Sequence, residues 1–292
     1  GLYVSNGSSN TIIQSQITGG TGGTTGTGLY TVGGSGGVGL YLSAGGSNTV
    51  SQSILSGGDG IGGYVGGAGG NGASVLSNGN SNIVSYSTMT GGAGGNGADS
   101  GIGLFLNAAG SGGHGLQFIN SSSNRISQSR MIGTHGGTNT PGTPGFEGTG
   151  VQIRTSSLNL LKDAVIQGAT AAHILGSTGT MIDSSVLSAT APAGGGLWLT
   201  GGSAGVFLSS SMIYGGYQGA GIFLGMGNSG TLTLSSDSIV GAKYGLIIAT
   251  QTEGAILSIT SMTFQSLSPG ATAIEFLGGA FTSTFPNLDF AD

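Results

Sequence analysis

The stretch Ser9-Asn10-Thr11-Ile12-Ile13-Gln14-Ser15-Gln16-Ile17-Thr18-Gly19 carries a pattern that recurs four more times in the chain. In each copy an apolar side chain stands two and seven residues after the asparagine. A serine, or an alanine in the fifth copy, stands five residues after it, and a glycine stands nine residues after it. The five asparagines are Asn10, Asn48, Asn82, Asn124 and Asn159. Because each position keeps one chemistry, the copies predict a repeated structural unit.

A second block precedes the first and alternates apolar and variable residues, as in Gly1–Val4 and Gly39–Leu42. It recurs from Gly115, Gly150, Gly196, Gly221 and Gly245. A period of two residues predicts short β-strands. A single repeat made of a few short strands cannot bury its apolar side alone, but stacked repeats can. The sequence therefore predicts a β-solenoid with an asparagine ladder at one turn.

Both blocks together resemble the right-handed parallel β-helix repeat family of the pectate-lyase-like superfamily, of the bacterial surface or extracellular type. The resemblance covers nearly the whole chain. It implies an all-β fold, a single-stranded right-handed parallel β-helix of about ten coils. It does not fix an activity, since one fold hosts many functions.

We predict one β-helix domain over residues 1–292. Residues 1–149 form coils with glycine-rich loop insertions, residues 150–272 form tight coils, and residues 273–292 form the last coil with a C-terminal cap or docking segment. The octet Gly-Gly-Ala-Gly-Gly-Asn-Gly-Ala occurs at 66–73 and again at 91–98. Such insertions either splay out as loops or pack as extended polyglycine strands, and the sequence leaves both arrangements open.

The composition excludes several classes of protein. Glycine fills 66 of 292 positions, and charged residues make up 5%, against about 25% in ordinary globular domains. Five Lys and Arg and a net charge of −5 argue against nucleic-acid binding, which needs a basic face. No apolar run is long enough to span a membrane. The lack of cysteine fits an exported protein, extracellular or at the cell surface.

Catalytic motifs are incomplete. The resemblance implies that polygalacturonases of this superfamily carry Asn-Thr-Asp, Asp-Asp, Gly-His-Gly and Arg-x-Lys motifs. This chain contains Gly113-His114-Gly115 but no Asn-Thr-Asp and no adjacent pair of aspartates. Asp163 and Asp183 fall about one coil apart with Lys162 beside them, which predicts a surface salt bridge. We therefore expect no catalytic residues and no enzyme activity.

The glycine-rich octets are similar to the calcium-binding nonapeptide repeat, which requires aspartate at its sixth place. Asn71 and Asn96 stand there instead, and a neutral amide is a poor sole ligand for calcium. We expect no metal site and no cofactor.

The outward positions of the first block carry aromatic residues at Tyr3, Tyr41, Trp198 and Phe223. Outward aromatics can stack on sugar rings, or they can be covered by a neighbouring subunit or by the chain's own loops. These four residues are the candidate contact or sugar-stacking surface.

The charge-poor surface and a first strand without a visible cap lead to the functional hypothesis. We expect an extracellular structural protein, a self-associating subunit of a surface filament or adhesin that packs end to end or side by side. One alternative is a β-helix protein that binds or degrades polysaccharide. Another is the passenger fragment of a larger autotransporter-like protein.

Overall fold

The structure, a computed structural model, describes residues 1–24, 31–97, 108–139, 144–249, 255–265, 267–278, 282–284 and 288–291. The described residues form thirty strands in three parallel sheets of ten strands each. Each coil contributes one strand to every sheet, and each strand between the two ends of a sheet pairs with the equivalent strands of the coils before and after it. The all-β fold of about ten coils predicted from the sequence is confirmed.

The strands of each sheet follow in coil order. The first sheet contains β1 (Leu2–Ser5), β4 (Leu40–Ser43), β7 (Ala73–Leu76), β10 (Leu116–Ile119), β13 (Val151–Arg154), β16 (Ala172–Leu175), β19 (Leu197–Thr200), β22 (Ala220–Leu224), β25 (Tyr244–Ile248) and β28 (Thr272–Phe276). The second contains β2 (Thr11–Ile13), β5 (Thr49–Ser51), β8 (Ile83–Ser85), β11 (Arg125–Ser127), β14 (Leu160–Lys162), β17 (Met181–Asp183), β20 (Phe207–Ser209), β23 (Thr231–Ser235), β26 (Ile256–Thr260) and β29 (Thr282–Thr284). The third contains β3 (Gln16–Thr18), β6 (Ile54–Ser56), β9 (Thr88–Thr90), β12 (Arg130–Ile132), β15 (Val165–Gly168), β18 (Val186–Ala189), β21 (Met212–Tyr214), β24 (Ser238–Val240), β27 (Met262–Gln265) and β30 (Leu288–Ala291).

The hydrophobic core fills the inside of the solenoid. Alternate residues of each strand point inward, so that Leu40 and Leu42 of β4 are buried while Tyr41 between them faces outward. Val50 and Leu55 contribute the inward side chains of β5 and β6. Because the register is exact from coil to coil, equivalent aliphatic side chains stack on one another along the whole rod.

The corner between the second and third sheets contains one residue with a left-handed backbone in each coil. This corner is formed by Gln14, Gln52, Tyr86, Gln128, Asp163, Ser184, Ser210, Ser236 and Ser261, whose φ angles lie between 47° and 57°. The left-handed conformation costs a non-glycine residue free energy, and hydrogen bonds between the corners of adjacent coils offset this cost. Gln14 N, for example, donates to Ser51 O of the next coil.

The five asparagines of the recurring pattern stand directly above one another. Asn10 Nδ2 donates to Asn48 Oδ1 at 2.9 Å, and Asn48 Nδ2 donates to Asn82 Oδ1 at 2.9 Å. Asn82 Nδ2 continues to Asn124 Oδ1 at 3.0 Å, and Asn124 Nδ2 to Asn159 Oδ1 at 3.1 Å. Each Oδ1 also accepts the backbone N–H of the asparagine before it. This arrangement satisfies buried amides that would otherwise cost free energy.

The glycine-rich insertions run out from the third sheet and back to the first. The outgoing segments are residues 19–24, 57–63, 91–97 and 133–139, and the returning segments are residues 31–39, 65–72, 108–115 and 144–150. Every third N–H binds the equivalent segment of the next coil, as Gly57, Gly60 and Gly63 do. Intervening N–H groups bind an antiparallel segment, as Gly58 binds Gly37 O and Ile61 binds Gly34 O. Three residues per turn without internal hydrogen bonds is the geometry of polyproline II.

These segments form a polyglycine bundle beside the β-helix. Of the two arrangements that the sequence leaves open, the structure shows the packed one. A Cβ at Gly58 would lie 2.1 Å from Gly20 O, and one at Gly113 would lie 2.0 Å from Gly70 O. The close approach of backbones in adjacent coils therefore requires glycine at these positions.

Candidate functional site

The outward face of the first sheet carries one column of side chains, one from each coil. In register, the column reads Tyr3, Tyr41, Ser74, Gln117, Gln152, His173, Trp198, Phe223, Ile247 and Glu275. Neighbouring members are about 4.8 Å apart along the rod, the spacing of paired strands. The middle of the column is polar, and aromatic residues lie on either side of it. We call this surface the first-sheet column.

Trp198 and Phe223 form the aromatic part of the column. Their ring centroids are 5.8 Å apart at an interplanar angle of 61°, and the rings of His173 and Trp198 are 6.0 Å apart at 80°. They border a shallow pocket of about 220 Å³, which we call the Trp198 pocket. The pocket is lined by Ala193, Trp198, Gln218, Gly219, Ala220, Phe223, Tyr244 and Ile247. Its wall is therefore mostly apolar.

The turn before β19 fixes the Trp198 ring. A Cβ on Gly195 would lie 1.9 Å from Trp198 Nε1, so the glycine lets the backbone pass directly over the indole. Trp198 Nε1 is buried and has no hydrogen-bond partner among the described residues. A buried donor without an acceptor is uncommon in a protein interior, and this indole N–H lies beneath the Gly195 turn.

A ladder of polar side chains continues the column toward the polyglycine bundle. Asn71 Nδ2 donates to Ser74 Oγ at 2.9 Å and to Gln117 Oε1 at 3.0 Å. Gln117 Nε2 donates to Gln152 Oε1 at 2.7 Å. His173 Nε2 lies 2.8 Å from Thr200 Oγ1, and burial lowers the pKa of His173, which favours its neutral form. The imidazole of His173 thus lies next to Trp198, and the amide of Gln152 lies one strand further along the column.

His114, the centre of the Gly-His-Gly sequence, lies in the last turn of a returning segment. Its backbone N–H donates to Asn71 Oδ1 at 2.9 Å, and its Nδ1 accepts the N–H of Thr149 at 3.0 Å. Burial, and then the neighbouring charge of His173, lower the pKa of His114 to about 4. An imidazole that accepts at Nδ1 and is neutral near pH 7 links adjacent coils, and it does not match a general acid.

Tyr3 and Tyr41 form a separate patch. Their rings stack with centroids 4.8 Å apart, and Tyr3 is 63% exposed. Four strands separate Tyr41 from Trp198, a distance of about 24 Å along the rod. The four aromatic residues predicted as one surface therefore form two patches with the polar ladder between them.

The carboxylates singled out in the sequence lie away from the first-sheet column. Lys162 Nζ and Asp183 Oδ2 form an ion pair of 3.2 Å on the second sheet. The hydrogen bond from Ser209 Oγ, 2.7 Å long, is the main cause that lowers the pKa of Asp183. Asp163 is at the corner, beside a second pocket of about 460 Å³ that Arg130 also lines.

Asn71 and Asn96, the amides of the glycine octets, use their oxygens within the polyglycine bundle. Asn71 Oδ1 accepts from His114 N, and Asn96 Oδ1 accepts from Thr138 N at 2.9 Å. Within the residues that the structure describes, no three His, Asp or Glu side chains cluster as metal ligands. In the same part of the chain, no helix is long and apolar enough to cross a membrane.

Sequence reasoning missed the joint between the bundle and the first sheet. Asn71, His114 and Thr149 each stand two residues before a first-sheet strand, and this shared place was the available signal. Trp198 and Phe223 were predicted as contact residues, but the sequence alone does not show that the turn at Gly195 packs over the indole and forms a pocket beside it.

Comparison with solved structures finds β-helix proteins at low identity. One is the catalytic domain of a GH87 α-1,3-glucanase in complex with tetrasaccharides, with 14% identity over 96% of this chain and a TM-score of 0.38. A Dettilon tailspike protein has 11% identity over 81% of this chain and a TM-score of 0.29. PfbA, a surface adhesin of Streptococcus pneumoniae, has 8% identity over 78% of this chain and a TM-score of 0.26.

This chain spans 64%, 62% and 61% of the length of those three chains, respectively. A search of the curated proteins found no match. Residues 105–261, more than half of the chain, match the family model described as the right handed beta helix region. The chain therefore belongs to the right-handed β-helix family.

Proposed function

We propose that this protein is an extracellular β-helix protein that binds a glycan along its first-sheet column, in the manner of a surface adhesin. The observation that carries the proposal is the juxtaposition of the Trp198 pocket with the ladder of Gln117, Gln152 and His173 in a single register column.

The chemistry of a sugar chain matches that juxtaposition. A pyranose ring has apolar C–H faces, which pack on aromatic rings, and hydroxyl edges, which exchange hydrogen bonds with amides. Trp198, Phe223 and Tyr244 supply apolar surface, while Gln152 and Gln218 supply amide groups beside it. Because equivalent side chains repeat at about 4.8 Å, the column presents contacts along a line, as a linear oligosaccharide requires.

Binding without cleavage is supported by the positions of the acids. Glycoside hydrolysis needs two carboxylates about 5–10 Å apart across the bond to be broken. Among the described residues of the first-sheet column, Glu275 is the one carboxylate, and it lies two strands beyond Phe223. The absence of enzyme activity stays a prediction.

Glycan-array binding with matched variants tests the proposal. Trp198→Ala removes the largest apolar face of the pocket, and we expect apparent glycan affinity to fall by at least about tenfold. Tyr86→Ala removes an exposed ring at the corner between the second and third sheets, outside the first-sheet column, and serves as the control, with affinity unchanged. Wild-type protein that binds no glycan, or a Trp198→Ala variant that binds as wild type does, would refute the proposal.

A structural, self-associating role is the second candidate. Its support is the absence of charged side chains from residues 1–58, the first being Asp59. Charged side chains of like sign normally disfavour association between copies of a protein, and this stretch has none. Analytical ultracentrifugation tests this role, since a chain that remains at 28.1 kDa at all concentrations would exclude it.

A further inference from the structure

The pocket at the corner between the second and third sheets lies away from the first-sheet column. It has a volume of about 460 Å³, and outward side chains of the third, fourth and fifth coils line it. The corner residues Tyr86, Gln128 and Asp163 form one wall. The opposite wall is the first outward position of the third sheet, where Arg130 stands. We call this site the corner pocket, and its size is that of a small-molecule site.

The corner pocket holds two opposite charges that do not pair. Arg130 is in register with Val165, so Asp163 lies one coil further on and two residues back. The charged atoms of Arg130 and Asp163 are nevertheless more than 4.0 Å apart. Arg130 Nη2 donates to Gln167 Oε1 at 2.5 Å, and the Asp163 carboxylate has no partner among the described residues. A free carboxylate thus faces a guanidinium whose other N–H groups are unused.

A nearby pair shows how opposite charges behave when they only link two coils. Lys162 and Asp183 occupy paired positions of the second sheet and meet at 3.2 Å. Within the part of the chain that the structure describes, this is the one ion pair. Of the nine corner residues, Asp163 is the one with a charged side chain. In a chain with 5% charged residues, an arginine and an aspartate held apart in one pocket form a distinct binding chemistry.

We propose that the corner pocket binds a free α-amino acid, with its carboxylate on Arg130 and its ammonium group on Asp163. A guanidinium binds a carboxylate through two parallel hydrogen bonds, and a carboxylate accepts from an ammonium group. A simple anion meets repulsion from Asp163, and a simple cation meets repulsion from Arg130. A ligand that carries both charges side by side satisfies both walls.

Tyr86 determines which side chain the amino acid carries. It precedes Gln128 and Asp163 in the stack of corner residues, and its ring is 60% exposed. An amino acid held by Arg130 and Asp163 can extend its side chain along the pocket toward this ring. Because an exposed aromatic ring packs on apolar and aromatic groups, the pocket favours an amino acid with such a side chain.

Amino-acid binding goes beyond the proposed glycan binding and does not depend on it. The corner pocket shares no lining residue with the Trp198 pocket. The first-sheet column likewise contributes no residue to it. A failure of either proposal therefore leaves the other standing.

Calorimetric titration with three matched probes tests the proposal. Phenylalanine carries both charges, 3-phenylpropionate only the carboxylate, and 2-phenylethylamine only the ammonium group. We expect wild type to bind phenylalanine at least about tenfold more tightly than either analogue. Arg130→Gln and Asp163→Asn should each weaken phenylalanine binding by at least about tenfold. Both side chains are exposed, and asparagine tolerates the left-handed backbone at position 163, so the variants fold.

Two controls locate the effect. Arg125→Gln removes the same charge from an exposed arginine on the second sheet, outside the pocket, and should leave phenylalanine binding unchanged. Tyr86→Ala should weaken the binding of phenylalanine but not of free glycine. Equal affinity for the three probes, or equal losses in Arg130→Gln and Arg125→Gln, would overturn the proposal. So would a wild-type protein that binds none of the standard amino acids.

Discussion

Replacing Asp237 by serine is predicted to remove a loss of folding stability that grows as the pH rises. Serines occupy the same position in the two preceding coils, and Ser211 Oγ accepts the N–H of Ser185 and donates to Ser209 O. Asp237 is 1% exposed, and its Oδ1 and Oδ2 accept from Ser211 N and Ser235 N at 2.9 Å each. In Asp237→Ser the hydroxyl takes over the bond from Ser211 N and can donate to Ser235 O.

Burial raises the pKa of Asp237 from 3.8 to about 7. The unfolded chain therefore ionises near pH 4 and the folded chain near pH 7, so folding binds a proton between these values. Stability consequently falls as pH rises through this window and levels off above it. A difference of about 3 pKa units corresponds to a loss of about 4 kcal/mol between pH 4 and pH 8. The Asp237→Ser variant has no titrating group at this position and should not show this loss.

The assay is denaturant unfolding followed by circular dichroism, on wild type and Asp237→Ser, at several pH values from 4 to 8. The serine leaves Ser235 N without its acceptor, which costs about 1–3 kcal/mol at every pH. The readout is therefore the change with pH in the difference between the two proteins. His114 titrates in both proteins and cancels. A stability difference that stays constant from pH 4 to pH 8 would refute the account of the Asp237 environment.

Two further predictions concern the ladders. His114→Asn keeps an acceptor for Thr149 N, as Asn71 Oδ1 does for His114 N, and it removes a group with a pKa of about 4 when folded and 6.5 when unfolded. Because a lowered pKa makes stability fall with falling pH, wild type should lose about 3 kcal/mol relative to the variant between pH 6.5 and pH 4. Equal pH dependence in the two proteins would contradict this. Asn124→Ala removes the acceptor of Asn82 N and Asn82 Nδ2 and should lower the free energy of unfolding by about 1–3 kcal/mol for each buried donor. Asn10→Ala, at the exposed end of the same ladder, is its control and should cost less than about 1 kcal/mol, so equal losses in a denaturant titration would argue against a buried amide ladder.

The architecture could be predicted because the same types of side chain recur at equivalent positions of successive coils. The alternation in Leu2-Tyr3-Val4 fixes a strand face, and the columns that begin at Asn10 and Ile12 fix the coil register. The prediction of a right-handed parallel β-helix, which rested on these patterns, is confirmed. Each column is a chemical constraint repeated once per coil, and repetition makes such a constraint visible in one sequence.

The polyglycine bundle could not be chosen over splayed loops from the sequence. Glycine has no side chain whose polarity reports its surroundings, and the bundle is held by backbone bonds such as Gly58 N to Gly37 O. The Trp198 pocket was likewise hidden, because Trp198 becomes a pocket wall only when the turn at Gly195 passes over it. Lys162 and Asp183 are a counterexample, since their register alone brings them within 3.2 Å.

Intrinsic fluorescence tests the central claim most directly, because Trp198 is the only tryptophan in the chain. Oligosaccharides titrated into wild-type protein should shift and saturate the emission of Trp198, and Phe223→Ala should weaken the apparent affinity without removing the fluorophore. Emission that no member of an oligosaccharide panel changes, with the protein folded as judged by circular dichroism, would contradict glycan binding at the first-sheet column.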